Sequence, residues 1–326
     1  MDKNKYTDLA VEAHDIAVER QGKIEGVNVD ESRTDNTLVT RIEVLNERAA
    51  KTLGKPVGNY VTIESDGLKG QNRLVHDEIT EILGRELENI INFNRLTQMS
   101  RREPVTFVAG LGNWNATPDA LGPQVINNLM VTRHLYKDAP PELRDGMRSV
   151  CALSPGVLGL TGIETAEIIK GVVEKVNPDL IIVIDSLAAR DTNRLGKTVQ
   201  ISNTGIYPGS GVGKNRLGIN QNTMNKPVIA LGVPTVIDAG TIVDDAIDTL
   251  MQGELFSKTE RERFRHIDQN RRYNAVKNLL SNDIGRLIVS PKGVDELIRD
   301  VSRIIAGGIN VALHPDITAE NLSLYL

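Results

Sequence analysis

The chain has 326 residues, of which 40% are hydrophobic, 25% charged and only 3% aromatic, and its formal net charge is −5. This is the composition of an ordinary soluble globular protein with a large core, and neither the acidic balance nor the shortage of rings suits a nucleic-acid or anionic-membrane surface. A single cysteine, Cys151, excludes an intrachain disulfide framework and fits a reducing cytosol.

The N-terminal stretch MDKNKYTDLAVEAHD has no continuous apolar run and does not read as a signal peptide. No segment approaches the ~18 apolar residues of a membrane span. Residues 1–100 are the more polar part, rich in Asn and Gly near 54–72, with HDEITEILGRELENIINFNRL (76–96) as the strongest helix. PVTFVAG (104–110) reads as a buried strand. It opens into the loop LGNWNATPDALGP, after which QVINNLMVTRHL returns to helical spacing, with Thr117 as N-cap and Pro118 in the first turn. TGIETAEIIKGVVEKV (161–176) carries Thr161 and Glu164 at capping-box spacing ahead of an apolar stripe.

Pro178 marks the stop, and DLIIVID (179–185) is a second buried strand. TVQIS (198–202) and PVIALGVP (227–234) are shorter strands, and TIVDDAIDTLM (241–251) is a helix. Residues 252–285 are highly charged and read as an exposed helical insertion or flap. PKGVDELIRDVSRIIAGGINVALHP (291–315) is an amphipathic helix that Gly307 and Gly308 interrupt or end.

Short, continuously apolar strands alternating with helices predict an α/β fold, a mostly parallel central sheet with helices on both faces. The core runs over about 100–251 plus the C-terminal helix, and the region before residue 100 embellishes it within one domain. Ligands of such sheets bind beyond the carboxyl ends of the strands. Asp185 ends one apolar run, and Asp119 follows another by one loop.

The glycine-rich loop TGIYPGSGVGKNR (204–216) fails as a nucleotide site on spacing. The first-glycine position of a P-loop holds Pro208 and its Ser/Thr position holds Asn215, while Gly209, Gly211 and Gly213 run as G-x-G-x-G. A loop that lets a substrate backbone approach closely is the better reading. The five histidines are scattered, with no HExxH pattern and no local metal signature. There is no G-x-S-x-G elbow, and Cys151 reads as a buried thiol. The two acids remain. Each alone reads as a cap or turn residue, but two carboxylates facing one cleft cannot both ionise easily, so one keeps its proton while the other acts as a base.

Taken together, TDLAVEAHDIA, GLGNWNATPDALGP, CALSPGVLGLTGIET, PDLIIVIDSLAAR, GIYPGSGVGKNR, ALGVPTVIDA and GGINVALHP give the chain a resemblance, over nearly its whole length, to the germination proteases of spore-forming Firmicutes. The resemblance implies an atypical aspartic endopeptidase, active without metal or cofactor, that starts the degradation of small acid-soluble spore proteins in the spore core. It also implies a fold like that of hydrogenase maturation endopeptidases and assembly as a homotetramer. The family's two essential aspartates carry over to Asp119 in ATPDALGP and Asp185 in VIDSLAA.

Family members are made as zymogens that remove a short leader, and their substrates are cut after an acid in a stretch like T-E-[F/I]-A-S-E. Thr7-Asp8-Leu9-Ala10-Val11-Glu12 has that pattern, which puts self-cleavage between Asp8 and Leu9, with residues 1–8 as propeptide and 9–326 as the peptidase. A leader of eight residues is shorter than in better-known members, which turns attention to how residues 9 onward are held. The apolar run before Asp185 favours it as the base, with the reverse assignment open. Gly205, Gly209, Gly211 and Gly213 would admit an extended substrate, and Arg190, Lys214 and Arg216 are candidates for a cationic pocket by motif proximity. The rival readings are a metal-dependent maturation-type peptidase and a non-catalytic peptide-binding protein.

Overall fold

The computed structural model describes residues 7–100, 102–138, 140, 144, 146–207, 217–252 and 287–322. The charged insertion expected over 252–285 lies outside the described residues from 253 onward, as do Gly209, Gly211, Gly213, Lys214 and Arg216.

Nine strands form one mixed sheet among the described residues: β1 (Val27–Arg33), β2 (Leu38–Val44), β3 (Gly58–Glu64), β4 (Val105–Gly110), β5 (Ser149–Leu153), β6 (Leu180–Ala189), β7 (Thr198–Ser202), β8 (Val228–Asp238) and β9 (Ile288–Val289). Their order is β1-β2-β3-β7-β8-β6-β4-β5, with β9 on β8. The strands β8, β6, β4 and β5 are parallel, and this is the region where apolar runs alternate with helices in the sequence. The remaining pairings are antiparallel. Strands β1 to β3 have no continuous apolar run (β1 is VNVDESR), so periodicity passes over them, and cross-strand pairing with β7 brings them into the sheet.

Helices cover both faces. On one, Arg73–Ile91, Leu121–Asn127 and Val294–Leu313 bury Leu83, Leu87, Leu121, Val301 and Ile305 against Ile182 and Ile184. On the other, Thr165–Val176 packs Ile169 and Val173 against Phe107, Ile181 and Val183. The N-terminal helix Ala10–Gln21 and the helix Glu47–Leu53 form a further cluster there with Ile42, Tyr60 and Leu187. Each leucine or isoleucine so buried contributes about 1.5–3 kcal/mol.

Several boundaries differ from expectation. The C-terminal helix runs unbroken from Val294 to Leu313 through Gly307 and Gly308. These glycines serve packing: a Cβ on Gly308 would stand 2.6 Å from Leu83 Cγ, and one on Gly84 would stand 2.6 Å from Val311 Cγ1. Bare backbone at both positions lets the C-terminal helix and Arg73–Ile91 approach closely, which outweighs the low helix propensity of glycine. Thr161 closes a short helix, Leu158–Thr161, and its hydroxyl accepts from the Ile163 N–H, so the capping box with Glu164 does not form and the next helix starts at Thr165. After β4 the chain makes a 3-10 turn, Thr117–Asp119, before the helix Leu121–Asn127, so Asp119 precedes that helix instead of lying in its first turn.

Candidate active site

Asp185 is the sixth residue of the ten in β6 and not its last. The end that matters belongs to its neighbour. β4 stays paired with β6 only as far as Gly110–Ile184, with one further bond from Leu111 N to Ile184 O (2.8 Å), and then turns away. The connection out of β4 leads toward β5, while that out of β6 leads toward β7 and β8 on the opposite side. This is the switch point at which open α/β sheets leave a crevice. Asp185 stands at it, and the loop leaving β4 brings Asp119 back over it.

That loop is tied at two places. Gly112 has φ +117, and a Cβ there would lie 1.9 Å from the Asp119 carbonyl oxygen, so only glycine lets the backbone fold this closely onto Asp119. Asn113 N donates to that oxygen at 3.0 Å. Thr235, fully buried in β8 at an irregularity in the β6–β8 register, donates its hydroxyl to Pro118 O at 2.7 Å. Both contacts fix the turn carrying Asp119.

Burial pushes the Asp185 carboxyl well above the usual carboxylate range, and the neighbouring negative charge of Asp119 pushes the same way. The Ser186 backbone N–H, 2.9 Å from Oδ1, opposes this, and the charge of Asp8 adds to it. Burial raises Asp119 too, against a backbone N–H of Asn113. Burial thus favours the protonated form at both acids, and more strongly at Asp185 than at Asp119.

Thr7 to Glu12 lie beside this pair. Asp8 N donates to Ala188 O (3.3 Å) and Asp8 Oδ2 accepts from Ala188 N (2.8 Å), so the segment runs along β6 just past Asp185. The Asp8 carbonyl oxygen accepts from Lys55 Nζ (2.8 Å) and from Gln200 Nε2 (3.0 Å), and Gln200 Oε1 accepts from Ala10 N (2.5 Å). Leu9 N donates to Thr7 Oγ1 at 3.0 Å, and that hydroxyl is bonded in turn to Glu12. The buried Glu12 carboxylate accepts from the backbone N–H groups of Arg190 (2.9 Å) and Asp191 (2.9 Å). Leu9 and Ala10 are wholly buried, and the helix begins at Ala10.

A cavity of about 490 Å³ adjoins this segment, lined by Thr7, Asp8, Lys55, Leu187, Gln200 and Gly205 among others. Gly205 is therefore beside Thr7 and Asp8. Arg190 supplies its backbone, while its guanidinium lies 3.5 Å from Asp245. Sequence reasoning missed Lys55 and Gln200. The second had a faint signal, a polar residue at the centre of the strand TVQIS, but Lys55 had none. Among the described residues no group of three His, Cys, Asp or Glu side chains is placed to hold a metal ion, and no helix is long and apolar enough to cross a membrane.

The germination protease family model matches residues 8–269 and 263–326. A germination protease of Clostridium perfringens is 46% identical over 329 residues, covering 99% of each chain. One from Caldanaerobacter subterraneus subsp. tengcongensis is 46% identical over 325 residues, covering 98% of this chain and 97% of its own. One from Bacillus cereus is 39% identical, covering 100% and 98%. A solved structure, the [NiFe] hydrogenase maturation protease HycI from Thermococcus kodakarensis KOD1, aligns with 63% of this chain and 92% of its own at 14% identity and a TM-score of 0.31.

Proposed function

The chain belongs to the germination protease family and is a peptidase, and from that premise we propose that Asp119 and Asp185 hydrolyse peptide bonds as an aspartic pair, the first bond cut being the chain's own Asp8–Leu9. The observation that carries this reading is electrostatic: the buried Asp185 carboxyl feels the charges of both Asp119 and Asp8. Two acids of unequal burial, one feeling the other's charge, supply one base and one acid in the same crevice.

The roles follow from burial and reverse the assignment favoured by the apolar run before Asp185. Asp185, the more desolvated group, holds the proton, and Asp119 is the carboxylate. Asp119 takes a proton from water as the water oxygen bonds to the scissile carbonyl carbon. The C–N bond then breaks, and the departing nitrogen takes its proton from the pair, leaving a new carboxyl and a new amine. Residues 1–8 are the propeptide in this reading. Small acid-soluble spore proteins, carrying an acid before the cut, are the substrates of the mature enzyme, and the working assembly is a homotetramer.

The test is the intact mass of the purified full-length chain over a mildly acidic to neutral pH series. The wild type is expected to lose residues 1–8, while Asp119→Asn and Asp185→Asn fold and keep them. Removal of the leader by either variant at near wild-type rate would sink the aspartic pair.

A further inference from the structure

Lys55 lies just before β3 and Gln200 stands in β7, far apart in the sequence, yet they meet on one oxygen. Gln200 stands in β7 in register with Gly232 of β8, which is itself in register with Asp185 of β6. Residues in one cross-strand row point to the same face, so Gln200 and Asp185 flank a glycine on one side of the sheet, two strand spacings or roughly 10 Å apart. Lys55 arrives from elsewhere. The helix Glu47–Leu53 ends in Gly54 with φ 68, and Lys55 N returns to Ala50 O at 3.2 Å, so the left-handed cap directs the next residue inward.

The geometry points to Lys55 and Gln200 as the carbonyl-binding pair of the peptidase, holding the oxygen of the acidic residue before the cut, with Lys55 also supplying the positive charge that selects an acid there. This rests on the aspartic reading above. The pair donates to the Asp8 oxygen at 2.8 Å and 3.0 Å, within the range at which two N–H donors stabilise an oxygen that becomes negative when water adds to the carbonyl carbon. Lys55 Nζ also reaches Thr7 O at 3.0 Å, and Gln200 Oε1 takes the Ala10 N–H, so the backbone on both sides of the bond is registered. Burial lowers the Lys55 ammonium from its ordinary value, and the charges of Asp8 and Glu12 oppose that, as expected of a cation desolvated to meet an acid. The Asp8 carboxylate has its own N–H donor in Ala188 at 2.8 Å. The arginines near the glycine-rich loop are not needed for acid preference in this arrangement.

The test uses the full chain and follows appearance of the Leu9 N-terminus by mass. Lys55→Met and Gln200→Met are each expected to slow processing by about 100- to 1,000-fold, the loss typical of one oxyanion donor, with Lys55→Arg slowed less. Asp8→Asn is expected to slow the wild type strongly but to add little in the Lys55→Met background, a non-additivity that a merely structural lysine would not produce. Asp185→Asn separates the two claims. If it is inert while Lys55→Met processes at the wild-type rate, or faster because a non-productive grip is released, the carbonyl-binding proposal is overturned and the aspartic pair survives. If Asp185→Asn processes normally, the aspartic reading itself fails. Full additivity of Asp8→Asn with Lys55→Met removes Lys55 as the acid selector.

Discussion

Glu12 and Arg190 are joined through the backbone of Arg190 and not through its guanidinium. The Glu12 carboxylate accepts the Arg190 N–H at 2.9 Å and the neighbouring Asp191 N–H at 2.9 Å, while the Arg190 side chain turns to Asp245 at 3.5 Å. This buried acid is satisfied by two main-chain amides and the Thr7 hydroxyl, so its hold on the sheet depends on the shape of the turn after β6 and not on the Arg190 side chain.

Glu12→Ala is therefore expected to free the N-terminal helix without disturbing the sheet. It leaves the two amides without their acceptor, at a cost of about 1–3 kcal/mol. Hydrogen exchange should show protection lost over Ala10–Gln21 and retained in β6 and β8; uniform loss across the sheet would contradict this local role.

The pair of acids has a pH signature. Asp185 has its folded-state carboxyl raised, so above its ordinary value the folded chain binds more protons than the unfolded one, and its contribution weakens stability as pH climbs. Asp185→Asn removes that penalty. Its melting temperature is expected to exceed the wild type's at neutral pH, with the gap closing as the pH falls through the ordinary carboxylate value of 3.8, well below which the carboxyl is protonated in both states. Differential scanning calorimetry across that range checks it, and a gap independent of pH would contradict it.

His314 works in the other direction. Burial and the nearby Arg148 lower its imidazole from 6.5 to about 4, and its Nδ1 accepts the Arg148 N–H at 3.2 Å. The folded state binds fewer protons than the unfolded one within that window. Stability present at neutral pH is thus lost as the pH falls from 6.5 toward 4, by about 3 kcal/mol for this group. His314→Gln should flatten that part of the stability curve relative to wild type; equal acid loss in both chains would rule the histidine out as its source.

Gly308→Ala sets two effects against each other. Alanine gains about 1 kcal/mol of helix propensity, but its Cβ would stand 2.6 Å from both Leu83 Cγ and Cδ2. Leu83 is wholly buried and has nowhere to retreat, so overpacking at about 1–3 kcal/mol prevails. Denaturant titration should show a lower midpoint with an unchanged slope.

The sequence by itself determined the alternation of apolar strands and helices that builds the parallel strands β4, β6 and β8, because those strands are buried on both faces and need continuous apolar runs, whereas the edge strand β5, only partly buried, is passed over. It also marked Asp119 and Asp185 as acids in loop and strand positions of that sheet, and the run TDLAVE as a stretch patterned like a cleavage site. The antiparallel strands β1 to β3 left no comparable trace, β1 being largely exposed and β2 and β3 largely buried but interrupted by polar residues. Only the tertiary structure decided that Asp185 lies within its strand beside the end of another, and that Gly307 and Gly308 are a packing seam instead of a break. The same holds for the two residues that grip the Asp8 carbonyl: Gln200 is 192 positions from Asp8 and Lys55 is 47. Their meeting depends on strand order and on a left-handed helix cap, and no local pattern records contacts made across that separation, since periodicity reports which face of an element is buried and not what stands opposite it.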